Sequence, residues 1–246
     1  MTRVAYASTR EVSAAELSEL PPAESAREFG SPERRRQFLS ARSLLRSMLS
    51  RFDGGSPASY RITTGEKGKP VCEGGPAISI THARDFVACC IARSGDVGIE
   101  LEVIDPRRHA RKVARRFFSA PEADWLETQP PERFFMLWVL KEAYGKAMGG
   151  GVVEAFQGLQ CIVEPPCIEV LESAAAVPDL RLFRLHDSYL AVVAIGGALD
   201  EVEVERWDAD RSEFVAAERG ESTVAAKQLG DQCGKAGERP DVAVAG

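Results

Sequence analysis

The sequence predicts an α+β protein of two similar halves, residues 1–103 and 104–206, with a disordered, low-complexity tail over 207–246. Three observations carry this expectation. A segment of helical periodicity followed by short strand-like runs occurs twice, the order expected of a repeated α+β layer. The links between neighbouring strand runs are short enough for antiparallel pairing. Beyond Trp207 the chain turns to Ala, Gly, Glu, Asp and Lys with few large apolar residues, a composition that cannot bury a core.

The elements follow in order. Val4–Ala7 reads as a strand, and Pro21-Pro22 lies in a polar loop. A helix spans Pro32–Arg51, with Ser31 as N-cap and Pro32 in the first turn. Its Phe38, Ala41, Leu45, Met48 and Leu49 recur at helical spacing and face a core. Arg35, Arg42 and Arg46 share another side of it, the ordinary signature of a solvated face. After Gly54-Gly55 come strands at Tyr60–Thr63, Ala77–Thr81, Phe86–Ala92 and Val97–Val103, the last three read as antiparallel neighbours. The second half has a helix over Pro106–Phe118 and a helix start at Ser119-Ala-Pro-Glu122, which carries the pattern of a capping box. A long helix over Pro131–Met148 stops at Gly149-Gly150-Gly151. Strands return at Leu159–Glu164, Ile168–Leu171, Leu180–His186 and Tyr189–Ile195.

A net charge of −6 argues against a general nucleic-acid binder, which would carry a basic excess. No apolar run is long enough to span a bilayer, and the first residues lack the basic and apolar regions of a signal peptide. Six scattered cysteines without a C-x-x-C pair and three histidines give no zinc spacing. A reduced, cytoplasmic protein is expected.

Chemistry concentrates in a few segments. Val97-Gly-Ile-Glu-Leu-Glu-Val103 alternates, so Glu100 and Glu102 share one strand face, ~6.6 Å apart along it. They serve either as a solvated face or as two carboxylates converging on a cation. The helix Phe134–Met148 is apolar around most of its first two turns yet holds Lys141, Glu142 and Lys146. Charge in a buried helix needs a partner or a metal, although Glu142 and Lys146 also fit a surface i, i+4 pair. Gly145 inside it costs about 1 kcal/mol relative to Ala unless something approaches closely. Gly68-Lys69-Pro70 places a cation on a constrained turn, and Thr81-His82 ends a strand where hydroxyl and imidazole can hold phosphate oxygens.

Taken in order, Gly68-Lys-Pro70, Ile78-Ser-Ile-Thr-His82, Val97-Gly-Ile-Glu-Leu-Glu102, Arg116-Phe-Phe-Ser119 and Trp138-Val-Leu-Lys-Glu-Ala-Tyr-Gly-Lys146 resemble the 4′-phosphopantetheinyl transferase superfamily, in its larger, Sfp-type form. The resemblance covers roughly residues 30 to 160. It implies two α+β halves related by pseudo-twofold symmetry, with coenzyme A between them and Mg2+ on its pyrophosphate. It implies transfer of phosphopantetheine to a serine of an apo acyl- or peptidyl-carrier protein, by a monomer. By position, Glu100, Glu102 and Glu142 are the implied metal ligands, and Glu142 the implied general base. Lys146 is implied to neutralise phosphate charge, and Lys69, Thr81 and His82 to hold coenzyme A, with Arg42 a candidate for its 3′-phosphate. Carrier contact is placed near Phe117-Phe118. Glu100 stands where the family usually has Asp, so the alternative is a coenzyme A-binding or regulatory protein with impaired catalysis. A metal-dependent phosphohydrolase would account for the carboxylates but not for the Lys-Pro and Thr-His segments.

Overall fold

A computed structural model of the protein describes residues 1–150, 152–165, 167–174, 178–197, 199, 202–208, 210–211, 213–217 and 224–227. Strand β1 (Thr2–Ser8) is followed by the short helices α1 (Ala14–Ser18) and α2 (Pro22–Ser25) and the long helix α3 (Pro32–Asp53). A small ribbon of β2 (Ile62–Thr64) and β3 (Pro70–Cys72) precedes β4 (Ala77–Ala83), β5 (Phe86–Ala92) and β6 (Asp96–Val103). Helices α4 (Ala110–Phe117), α5 (Ala120–Glu127), α6 (Glu132–Met148) and α7 (Val152–Gly158) come next. The chain continues through β7 (Leu159–Glu164), β8 (Cys167–Ser173), β9 (Asp179–Leu185) and β10 (Ser188–Ile195). It then forms β11 (Val204–Asp208), β12 (Glu213–Ala216) and β13 (Val224–Lys227).

Two mixed sheets result, ordered β12-β11-β1-β5-β4 and β6-β10-β9-β13-β8-β7. Helix α3 lays Leu44, Leu45, Met48 and Leu49 on Val87, Cys89 and Ile91 of the first sheet. Helix α6 buries its apolar surface on the second sheet, against residues such as Val163, Leu182 and Val193. The other faces of the two sheets meet: Val4, Tyr6 and Cys90 pack with Val97, Ile99, Leu101 and Val192. The expected α+β arrangement is therefore present, with a long helix on each sheet and the sheets back to back.

The local signals act as written. The Ser31 hydroxyl accepts from the Arg34 N–H at 3.2 Å to cap α3. Ser119 and Glu122 form the capping box of α5. Gly149 ends α6 at φ 64, a conformation that glycine adopts without penalty.

Two expectations are corrected. β6 does not pair with β5. It crosses to the second sheet and pairs with β10 from Asp96↔Ile195 to Val103↔Ser188. The reason is burial on both faces: a strand with Val97, Ile99 and Leu101 on one side and a helix on the other belongs inside the molecule. Helix α4 starts at Ala110 rather than Pro106, because Asp105 accepts from the Arg107 N–H at 3.0 Å and folds the lead-in into a turn. Described residues beyond Trp207 add strands to both sheets: β12 pairs with β11, and β13 sits between β9 and β8. Trp207 is buried and packs edge-on against Phe214, so a few apolar residues suffice where ready sheet edges supply hydrogen bonds. Residues 228–246 of that expected tail lie outside the described residues.

Cys72, Cys89, Cys90 and Cys161 are free and buried. Among the described residues no helix is long and apolar enough to cross a membrane.

Candidate active site

The site forms where β4, β6 and α6 meet. Gly98 lets α6 lie directly on β6: a Cβ there would sit 1.8 Å from the Ala143 carbonyl oxygen and 2.6 Å from the Ala147 nitrogen. The close approach suspected from Gly145 is thus made by a strand glycine onto the same helical turn. It brings Glu142 and Lys146 of α6 over the glutamates of β6.

Glu100 is buried, and its Oε1 accepts from the Thr81 hydroxyl at 2.8 Å. Lys146 Nζ lies 2.5 Å from Glu100 Oε2, an ion pair without hydrogen-bond alignment, and donates to the Ile80 carbonyl at 3.1 Å. Lys146 therefore pairs across to the strand rather than back along its helix. Glu102 is ion-paired with Arg108 at 2.6 Å, and burial raises its pKa, a shift Arg108 opposes. The Arg108 guanidinium lies 4.2 Å from the centre of the Trp138 ring. Glu142 is pushed up to about 7, first by burial and then by the charge of Glu100, with Lys146 opposing. Three carboxylates thus share a part-buried space, with Lys146 and Arg108 set among them. Among the described residues no three His, Cys, Asp or Glu side chains form a ready-made metal cage, since Lys146 and Arg108 hold two of the carboxylates.

Beyond the other face of β4 lies a cavity of about 420 Å³, whose lining includes Arg27, Arg34, Phe38, Arg42, Ile80 and His82. Strand alternation explains the division: Ile80 and His82 line the cavity, while Thr81 between them turns to Glu100. Arg42 is buried, and its Nη1 has no hydrogen-bond partner. Its Nε is 3.7 Å from Glu24, whose carboxylate is already held by Arg46 at 2.8 and 3.0 Å. Arg46 also donates to the carbonyls of Pro57 and Tyr60, so its role is structural. The solvated face expected for these arginines holds for Arg35 alone. His82 is exposed on the cavity rim, its pKa lowered by loss of solvation and by the Lys146 ammonium.

Not every expected residue joins this site. Lys69 donates to Asp96 at 2.9 Å and to the Ala147 carbonyl at 2.8 Å, clasping the negative end of α6, while Gly68 and Pro70 line the cavity. Phe118 is buried in the core, while Phe117 is half-buried and packs on Trp138 and Phe156. Arg108 was missed, because an arginine in an Arg107-Arg108-His109 loop carries no spacing signal. Glu24 and Arg27 are joined to the cavity only by the fold.

Residues 96–216 match the family model of the 4′-phosphopantetheinyl transferase superfamily, and residues 24–92 that of the 4′-phosphopantetheinyl transferase N-terminal domain. The chain is 31% identical over 181 residues to the 4′-phosphopantetheinyl transferase HetI of Nostoc sp., covering 70% of this chain and 76% of HetI. It is 34% identical over 123 residues to the 4′-phosphopantetheinyl transferase AcpT of Salmonella typhi, 48% of this chain and 60% of AcpT. A 4′-phosphopantetheinyl transferase of Bacillus subtilis is 29% identical over 135 residues, 52% of this chain and 59% of that protein.

Proposed function

The chain belongs to the 4′-phosphopantetheinyl transferase superfamily, and on that premise we infer that it transfers 4′-phosphopantetheine from coenzyme A to a serine hydroxyl of an apo acyl- or peptidyl-carrier protein, with Mg2+ and with release of 3′,5′-ADP. The observation that supports this most is the use of β4 as a partition. On one side is a cationic cavity with a buried guanidinium group, that of Arg42, whose Nη1 has no hydrogen-bond partner; on the other is the carboxylate cluster, and Lys146 touches β4 between them. A nucleotide's phosphate end suits the first side and a polyphosphate with its counter-ion suits the second.

In this reading Arg42 and His82 take the 3′-phosphate of coenzyme A, while Lys146 meets the pyrophosphate. Thr81 orients Glu100. The fit to Mg2+ rests on the donor set: Glu100, Glu102 and Glu142 are hard oxygen donors, and the raised Glu142 marks a place short of positive charge. When bound there, Mg2+ neutralises charge on the phosphates. Glu142 accepts the proton of the carrier serine as its oxygen bonds to the β-phosphorus; the phosphoanhydride bond breaks and its electron pair leaves with 3′,5′-ADP. The protein contributes position and charge rather than a nucleophile of its own.

Incubation with coenzyme A, Mg2+ and a panel of apo carrier proteins, followed by mass measurement, tests the reading. Added phosphopantetheine on a carrier supports it. Coenzyme A binding by calorimetry with no gain on any carrier favours the alternative of impaired catalysis, for which Glu100 in place of Asp is the motivating feature.

A further inference from the structure

Lys141 and Glu122 are the two charges of this fold most completely withdrawn from water, both 0% exposed, and the chemistry above uses neither. Lys141 Nζ is 2.8 Å from Glu122 Oε1, donates to the Phe156 carbonyl at 3.1 Å and donates also to the Leu159 carbonyl. All three of its protons are thereby directed. Glu122 Oε1 accepts from the Cys161 N–H at 2.9 Å as well, and Oε2 accepts from the N–H and hydroxyl of Ser119 at 3.0 and 2.9 Å. One buried knot therefore joins α5, α6, the end of α7 and the start of β7.

A pair of buried ions is a poor device for stability alone, because desolvation offsets most of the attraction, and apolar replacements are often as stable or more so. Its directionality is a different asset. Helix α6 is apolar around most of its surface, and apolar contact is non-directional, so packing by itself specifies the rotation and axial position of α6 weakly. Glu142, the next residue after Lys141, must meet Glu100 and Glu102, which stand on a different element.

We propose that the Glu122–Lys141 pair is a positioning device for the transfer reaction, fixing α6 so that Glu142 and Lys146 stay in register with Glu100 and Glu102 on β6. The proposal rests on the functional reading above. Neither residue touches the reacting atoms; they act through the setting of the helix. The cavity assigned to the 3′-phosphate of coenzyme A has no lining residue from α6.

The test compares wild type with the double variant Glu122→Gln/Lys141→Met, which removes both charges at similar volume and keeps an amide oxygen to accept from the Cys161 N–H, and with Lys141→Met alone, which strands a buried carboxylate and is expected to melt early. Thermal melting, kcat and KM for coenzyme A on one carrier, and calorimetric Mg2+ titration in the presence of coenzyme A are measured. The double variant is expected to melt within a few degrees of wild type and to change its KM for coenzyme A less than its kcat. Its kcat should fall ~10- to 100-fold and its Mg2+ binding weaken by about tenfold, as misplaced ligands would dictate. A double variant with wild-type kcat and wild-type Mg2+ affinity overturns the proposal, and so does one that melts as early as the single variant, for then the pair serves folding alone. If wild type modifies no carrier, the functional reading fails instead, and the Mg2+ titration still decides the role of the pair.

Discussion

Replacing Glu142 by Gln should stabilise the metal-free protein while ending its activity. The side chain keeps its shape but loses a charge that its surroundings disfavour. Glu142 is raised from 4.5 to about 7, chiefly by burial and next by Glu100. At ~1.4 kcal/mol per pH unit the gap amounts to roughly 3 kcal/mol, an upper figure because the carboxylate retains some contact with water. The native protein holds this proton more tightly than the unfolded chain, so the native state binds more protons between pH 4.5 and about 7. The stability so contributed is complete below the unfolded value and is lost as pH rises through the folded one. Urea unfolding in the presence of a chelator should therefore show little difference between Glu142→Gln and wild type near pH 4.5, and a variant more stable by up to about 3 kcal/mol at pH 8. Equal stabilities at pH 8, or a variant less stable there, would refute the account of a strained carboxylate cluster.

Other perturbations separate packing from chemistry. Gly98→Ala drives a Cβ to 1.8 Å from the Ala143 carbonyl oxygen, and thermal melting should register a loss of about 3 kcal/mol or more. Thr81→Val removes the buried donor to Glu100, and denaturant unfolding should show a cost of about 1–3 kcal/mol. Lys146→Met should lower kcat ~100- to 1000-fold by removing the cation beside Glu100, as read by carrier modification over time. Arg42→Gln should weaken binding of coenzyme A by calorimetry ~10-fold or more while changing binding of its 3′-dephospho form far less.

Much of this site could be read from local pattern. The strict alternation of Val97–Val103 put Glu100 and Glu102 on one face, and a mostly apolar helix made Glu142 and Lys146 conspicuous. Caps at Ser31, Ser119 and Gly149 were equally plain, since each depends on its own few residues. What escaped depends on partners distant in sequence. Nothing near Val97 says that β6 pairs with β10 rather than β5, because a strand buried on both faces fits either sheet. Lys69 carried a phosphate-binding look, yet it was the nearness of the α6 carbonyl end that decided its contacts. Arg42 and Arg46 share a helix face with Arg35, and only the fold of Glu24 over that face separates Arg46, which holds its carboxylate, from Arg42, whose Nη1 has no hydrogen-bond partner. The tail strands were hidden because their stability comes from the edge of β1 and from the gap between β8 and β9, not from their own composition.

The central claim is that Glu142, set against Glu100 and Glu102, carries phosphopantetheine transfer. The most direct measurement is the mass of an apo carrier protein after incubation with coenzyme A, Mg2+ and either wild type or Glu142→Gln. Addition of phosphopantetheine by wild type and none by the variant is the result expected. A carrier modified equally by both, or by neither across the whole panel, would contradict it.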